Sequence, residues 1–222
     1  MNPLRQKFAD YPALVRLVPF GIFVGLTACQ GTLFDGSQYW FYLLKTVVGA
    51  GLIWAMYPLV SEMRWALSWE AVAAGVGVFG IWVGLDGYYH KFITAPANWH
   101  PFVKFGDGSA LAWLFIVTRI LGSTLVVPPL EEVFYRSFAY RSLAAPKFET
   151  VPLNYFAWLP FLGTAALFGF SHVEWLAGIL CGMAYQFLVL RKNRLGDAMT
   201  AHAITNFLLG GWIVWRGDWH FW

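Results

Sequence analysis

A chain of 222 residues that is 59% apolar and 12% charged departs from soluble domains, which run near 45–50% and about 25%. Its formal net charge of +3 is scattered, giving no basic face for nucleic acid; it suits a membrane protein with basic residues at its cytoplasmic edges. There is room for about seven or eight membrane spans in one domain, 1–222, and for no separate soluble unit.

Arg5 and Lys7 followed by an apolar run imitate a secretory signal, and Leu26-Thr27-Ala28-Cys29 resembles the lipobox of a bacterial lipoprotein. Arg16 and Pro19 interrupt the run, so an uncleaved first span is expected over 14–34. A second span is expected over 39–60, after the tight turn Asp35-Gly36-Ser37-Gln38, and a third over 70–85. The third carries Gly80 and Gly84 in a G-x-x-x-G spacing that recurs at Gly178 and Gly182. Close helix packing is the expected meaning in both places.

Residues 86–108 form the longest polar-leaning connection, rich in aromatics such as Tyr88, Trp99 and Phe105. It is expected on the membrane surface, with His90 and His100 as structural residues and a gate over the site as an open alternative. Aromatics cluster at the ends of apolar runs, as in Tyr39-Trp40-Phe41-Tyr42 and Trp219-His220-Phe221-Trp222, where interfacial anchors belong. Cys29 and Cys181 both lie in apolar runs and read as small buried hydrophobes rather than a disulfide.

The run 110–130 is broken by Pro128-Pro129 and continues helix-like to residue 144. Its ~35 residues exceed one ~30 Å hydrocarbon thickness, so either one helix kinks or two meet at the prolines. Later spans are expected over 155–172, 174–190 and 197–215. Counting 110–144 as one crossing gives seven spans. Arg5/Lys7, Arg64, Arg141/Lys147 and Arg191-Lys192-Asn193-Arg194 then share one side, which the positive-inside rule makes cytoplasmic. Such a ladder puts His172 near the outer end of its helix and His202 near the inner end of its own. For both to meet Glu131, one helix must start late, tilt or break, and Pro152 or Pro160 offers the place.

Three residue pairs spaced four apart sit inside these apolar stretches: Glu132 with Arg136 (preceded by Glu131), Phe168 with His172, and His202 with Asn206. Four residues is about one turn, so each pair shares a helix face. A charged group at the bilayer centre costs about 2.5–3.5 kcal/mol, which makes an intramembrane ionisable cluster a functional candidate. Glu131 and Glu132 point about 100° apart and cannot share one role. Glu132 is set to pair with Arg136, leaving Glu131 to face a polar cavity. His172 could pair with Glu131 as a carboxylate–imidazole unit that takes a proton from water, and His202 with Asn206 could stabilise an oxyanion. Structural roles in charge balance and interhelical hydrogen bonding remain open for each.

Glu131-Glu132-Val133-Phe134-Tyr135-Arg136, Phe168-Gly169-Phe170-Ser171-His172 and His202-Ala203-Ile204-Thr205-Asn206 follow the patterns E-E-x-x-x-R, F-x-x-x-H and H-x-x-x-N. In this order, on successive hydrophobic segments, they resemble the CAAX prenyl endopeptidase and bacteriocin-processing (CPBP, or Abi) family of intramembrane proteases, over residues 110–215. The small size and aromatic richness are also similar to the CAAX-protease-related proteins that accompany bacterial exosortase systems. The resemblance implies an all-α polytopic bundle with an intramembrane polar cavity, in a bacterial inner membrane. It implies a metal-independent glutamate peptidase, with no cofactor, acting on a hydrophobic or lipid-modified peptide or membrane protein. Glu131 and His172 would activate water, His202 and Asn206 would hold the oxyanion, and Glu132, Arg136 and Phe168 would support them. Two departures stand out, at Tyr135 and Ser137. Where bacterial members often read Phe-Arg-Gly, this chain has Tyr135-Arg136-Ser137. Two alternatives remain open: a zinc protease using Glu131, His172 and His202, although no H-E-x-x-H is present, and a non-catalytic membrane partner or proton-coupled transporter.

Overall fold

The computed structural model describes residues 8, 10–92 and 99–222; Arg5, Lys7 and residues 93–98 of the long connection lie outside them. The described residues are helical with no strand. In chain order the helices are α1 (Pro12–Ala28), α2 (Ser37–Met56), α3 (Trp69–Gly84), the short α4 (Pro101–Phe105), α5 (Ala110–Ala144), α6 (Trp158–Phe170), α7 (Trp175–Lys192) and α8 (Gly196–Arg216). Of these, α2 and α5 are long and apolar enough to cross a membrane by length and composition, while α1, α3 and α6 are shorter apolar helices. Exposed apolar side chains such as Val47, Leu125, Leu159, Leu167 and Phe207 line the outside of the bundle.

Local chemistry sets the boundaries. Ser68 and Ser109 cap α3 and α5 by accepting from Ala71 N and Ala112 N, which satisfies helix-end donors. Gly36 takes φ +85° in the turn before α2, a conformation open to glycine at little cost. The Pro128-Pro129 step produces one continuous helix rather than two. It carries two π-turns, at Gly122–Val126 and Val133–Ala139, on either side of Val127–Glu132. At the first, Val127 N–H bonds back to Gly122 O; at the second, Tyr140 N–H bonds back to Tyr135 O. The glutamates thus sit on a short α-helical turn bracketed by two shifts of hydrogen-bond register, a feature frequent at functional sites.

The helices pack as α6 on α7, α3 on α8 and α1 on α2. Only one of the two G-x-x-x-G pairs is a close approach. A Cβ on Gly178 would come within 2.8 Å of Gly169 Cα, and one on Gly182 within 2.9 Å of Ala165 Cα, whereas Gly80 and Gly84 face open space. On α3 the contact glycine is Gly75, where a Cβ would lie 2.7 Å from Ala201 O. Cys29 and Cys181 are both free thiols.

Ion pairs gather at opposite ends of the bundle. At one end Glu62 receives Arg16 (2.7 Å) and Arg141 (2.9 Å), and Lys192 meets Glu70 (2.6 Å). At the other, Asp86 receives Lys91 (2.6 Å) and His220 (2.9 Å), and Lys91 also meets Glu174 (3.2 Å). The 86–108 connection is not wholly superficial: Trp99 is 2% exposed and packs into a cluster with Tyr39, Phe115 and Ile116. His90 offers its carbonyl to Trp175 Nε1 (2.8 Å), and His100 caps α4 through Nδ1, accepting from Val103 N–H (3.4 Å).

Candidate active site

Glu131, His172, His202 and Asn206 line one internal cavity of about 450 Å³, together with Tyr135, Phe168 and Ser171. They come from α5, the turn after α6, and α8. Helix α6 starts at Trp158, after the 145–157 connection, and ends at Phe170, and His172 in the turn beyond it lines the same cavity as His202. Phe168 stands between the two imidazoles, its ring 4.7 Å from that of His172 and 6.0 Å from that of His202.

Glu132 and Arg136 form the expected pair. Arg136 Nε lies 3.2 Å from Glu132 Oε2, with both side chains fully buried. No hydrogen-bond acceptor in good geometry meets the three guanidinium nitrogens; the cation also lies 4.9 Å from the Phe168 ring and 5.6 Å from the Tyr135 ring. A cation over an aromatic face recovers part of the lost solvation. The other Glu132 oxygen takes an unexpected partner, His202 Nδ1 at 2.9 Å. Glu132 thus links the first motif to the third.

His202 is held from several sides. Tyr185 stacks on its ring at 5.3 Å and donates from its hydroxyl to Thr205 Oγ1 (2.7 Å). Thr205 in turn donates to Gly75 O (2.8 Å) or Ala201 O (3.1 Å). The absence of a side chain at Gly75 is what brings α3 close enough to offer that carbonyl. Tyr185 and Thr205 were not singled out from the sequence. Their signal was the placement of Thr205 three residues after His202 and of Tyr185 in a largely apolar stretch of α7.

Asn206 donates from Nδ2 to Ser123 O at 2.8 Å. In an α-helix that carbonyl would accept from Val127 N–H. The π-turn diverts Val127 to Gly122, and the freed acceptor takes the amide instead. One amide hydrogen is fixed and the other remains to donate.

Glu131 lines the cavity, and its Oε2 is buried without a hydrogen-bond partner. No direct hydrogen bond joins it to His172. His172 Nδ1 instead lies 2.7 Å from Phe168 O and 3.1 Å from Ser171 Oγ. Because a carbonyl can only accept, Nδ1 carries the hydrogen and Nε2 is the basic nitrogen. Tyr135, one of the departures from the family pattern, donates to Ser171 Oγ (3.2 Å).

Ser137, the other departure, belongs to a separate network. Its hydroxyl accepts from Arg16 Nε (2.9 Å) and Arg141 Nη2 (2.7 Å) and donates to Glu62. Burial alone would raise the Glu62 carboxyl; the Arg16 charge and the hydrogen bonds from Ser137 and Arg16 outweigh it and hold the group below the ordinary carboxylate range. Among the described residues no three His, Cys, Asp or Glu side chains gather as a metal-holding group.

The motifs and the match to known families agree on the class, which is a peptidase. Residues 111–208 match the Rce1-like family model, described as type II CAAX prenyl endopeptidase, and this span holds all three motifs. Over that span the chain is similar to this family of membrane peptidases. No curated protein and no solved structure matches it.

Proposed function

We propose that this protein hydrolyses a peptide bond of a hydrophobic or lipid-modified substrate inside the membrane, with Glu131 as the general base. The observation that carries the reading is a cavity-facing carboxylate with an unpartnered oxygen, in one chamber with His172, His202 and Asn206. Glu131, with the basic Nε2 of His172, takes a proton from water as the water oxygen attacks the scissile carbonyl. His202, as an imidazolium held through Nδ1 by Glu132, donates from Nε2 to the tetrahedral oxyanion, and Asn206 donates its second amide hydrogen. The carbon–nitrogen bond then breaks, and the leaving amine takes the proton from Glu131. In this state Glu131 and Glu132 offset the charges of Arg136 and His202 beside the reacting bond.

Seven crossings, with α5 counted once and the N-terminal side cytoplasmic, accommodate the helices. The basic residues Arg16, Arg64, Arg141, Lys147, Arg191 and Arg194 all fall toward the end of the bundle that carries Glu62 and Glu70, as the positive-inside rule asks. The exposed apolar belt is the surface such a protein turns to lipid. A bacterial inner membrane suits this arrangement; the partners are then the bilayer and a membrane-associated peptide, with no nucleic acid. Mass spectrometry of membrane peptides from cells carrying the wild-type protein or Glu131→Ala tests the reading. Peptides that shorten only with the wild type support it, and identical peptide sets in the two strains defeat it.

A further inference from the structure

The cavity continues past Glu131 to a second polar end that the hydrolytic reading leaves unused. Lys45 of α2 and Arg119 of α5 both line it, and both lie over the Tyr42 ring, at 4.4 Å and 4.8 Å from its centroid. Arg119 is further enclosed by Trp99 (4.4 Å) and Trp222 (5.3 Å). Lys45 is 6% exposed and spends one donor on Thr27 Oγ1 (3.0 Å). Among the described residues no ion pair joins either cation to a carboxylate, whereas the buried Arg16 and Arg141 both pair with Glu62. Two more donors on the same wall, Trp99 Nε1 and Gln30 Nε2, are buried without an acceptor.

Two sequestered cations and two idle N–H donors around one space outnumber the one carboxylate that shares the cavity with them, Glu131, and leave room for a second anion. Burying an unpaired charge is costly, so a ligand that supplies counter-charge is favoured here. A guanidinium fork matches the two oxygens of a carboxylate, and an ammonium beside it adds a point charge. The surrounding aromatic rings lower the local polarity, which strengthens each contact. The space is continuous with Glu131, and its volume falls within the ~300–1,000 Å³ range of ligand pockets.

We propose that Lys45 and Arg119 bind the free C-terminal carboxylate of the substrate peptide, so that the enzyme measures its cleavage position from the chain end. This rests on the peptidase reading above. Both residues are specificity determinants and neither takes part in bond cleavage.

The test uses an N-acylated pentapeptide in two forms, C-terminal acid and C-terminal amide, with full-length protein in neutral detergent. Binding is read by thermophoresis on Glu131→Gln and cleavage on protein with Glu131 intact. Amidation is expected to raise KM and Kd at least tenfold while kcat changes little. In Arg119→Gln and Lys45→Met the acid peptide should lose that advantage, and Arg119→Lys should restore part of it. Equal Kd for acid and amide overturns the proposal, as does a preference that survives in both variants. Phosphatidylglycerol that competes only when Lys45 and Arg119 are present, with acid and amide indistinguishable, makes the anion a lipid headgroup and also overturns it. Absence of cleavage in every protein defeats the peptidase reading, while the binding comparison still decides for or against the carboxylate.

Discussion

Asn206 Nδ2 donates to Ser123 O across 2.8 Å, and the acceptor is free because a π-turn moves Val127 N–H onto Gly122 O. A backbone irregularity on α5 therefore positions a side chain on α8, with its second hydrogen left for the developing oxyanion. Asn206→Ala is expected to lower kcat by ~10²–10³-fold with KM near the wild-type value, since such donors act chiefly in the transition state. Steady-state kinetics on the acyl peptide checks this.

The adjacent glutamates should fail in different ways. Glu131→Gln removes the base and leaves every ion pair intact, so cleavage is lost while the melting temperature in detergent holds. Glu132→Gln strands the buried Arg136 guanidinium, for which a loss of about 3–5 kcal/mol is expected. It also releases Nδ1 of His202. Thermal melts beside activity assays separate the two.

Glycine substitutions on α3 distinguish real packing from a spacing pattern. Gly75→Ala sets a methyl 2.7 Å from Ala201 O and pushes α8 away, at about 1–3 kcal/mol, moving His202 and lowering kcat. Gly80→Ala meets no neighbour and should leave activity unchanged, with a slight gain in helix stability.

Glu62 gives the fold a defined acid limit. Its carboxyl is held below the ordinary value by Arg16 and Ser137 against the opposing effect of burial. The stability it contributes is therefore full above the unfolded carboxyl pKa, roughly 4.3, and is lost as pH falls through the folded value. Melting temperature should drop over that window in the wild type. In Glu62→Gln, which leaves Arg16 and Arg141 without their carboxylate, the protein should be weaker at neutral pH and show a smaller acid-dependent drop.

Helix positions were legible in the sequence because apolar runs in a lipid-facing bundle are long and sharply bounded; the expected 70–85 span differs from Trp69–Gly84 by one residue at each end. The Glu132–Arg136 pair followed from helical spacing alone. Its second partner did not, since His202 approaches from 70 residues away and nothing local records that contact. The Pro128-Pro129 step announced a disturbance, yet the choice of π-turns over a break depends on packing with α8. Gly80 and Gly84 show the converse: the spacing permits a close approach, and only the neighbouring helix decides whether one is made. Lys45 and Arg119 could have been found by the rule that singled out Glu131, as charges in apolar runs, although their common cavity could not.

The central claim is that Glu131 activates water for peptide hydrolysis in this cavity. Its most direct test is a single turnover of the purified protein on the acyl peptide in ¹⁸O-labelled water, with Glu131→Gln of matched melting temperature alongside. The account predicts one ¹⁸O in the newly formed carboxylate with the wild type and no product with Glu131→Gln. Cleavage by Glu131→Gln at the wild-type rate would contradict it.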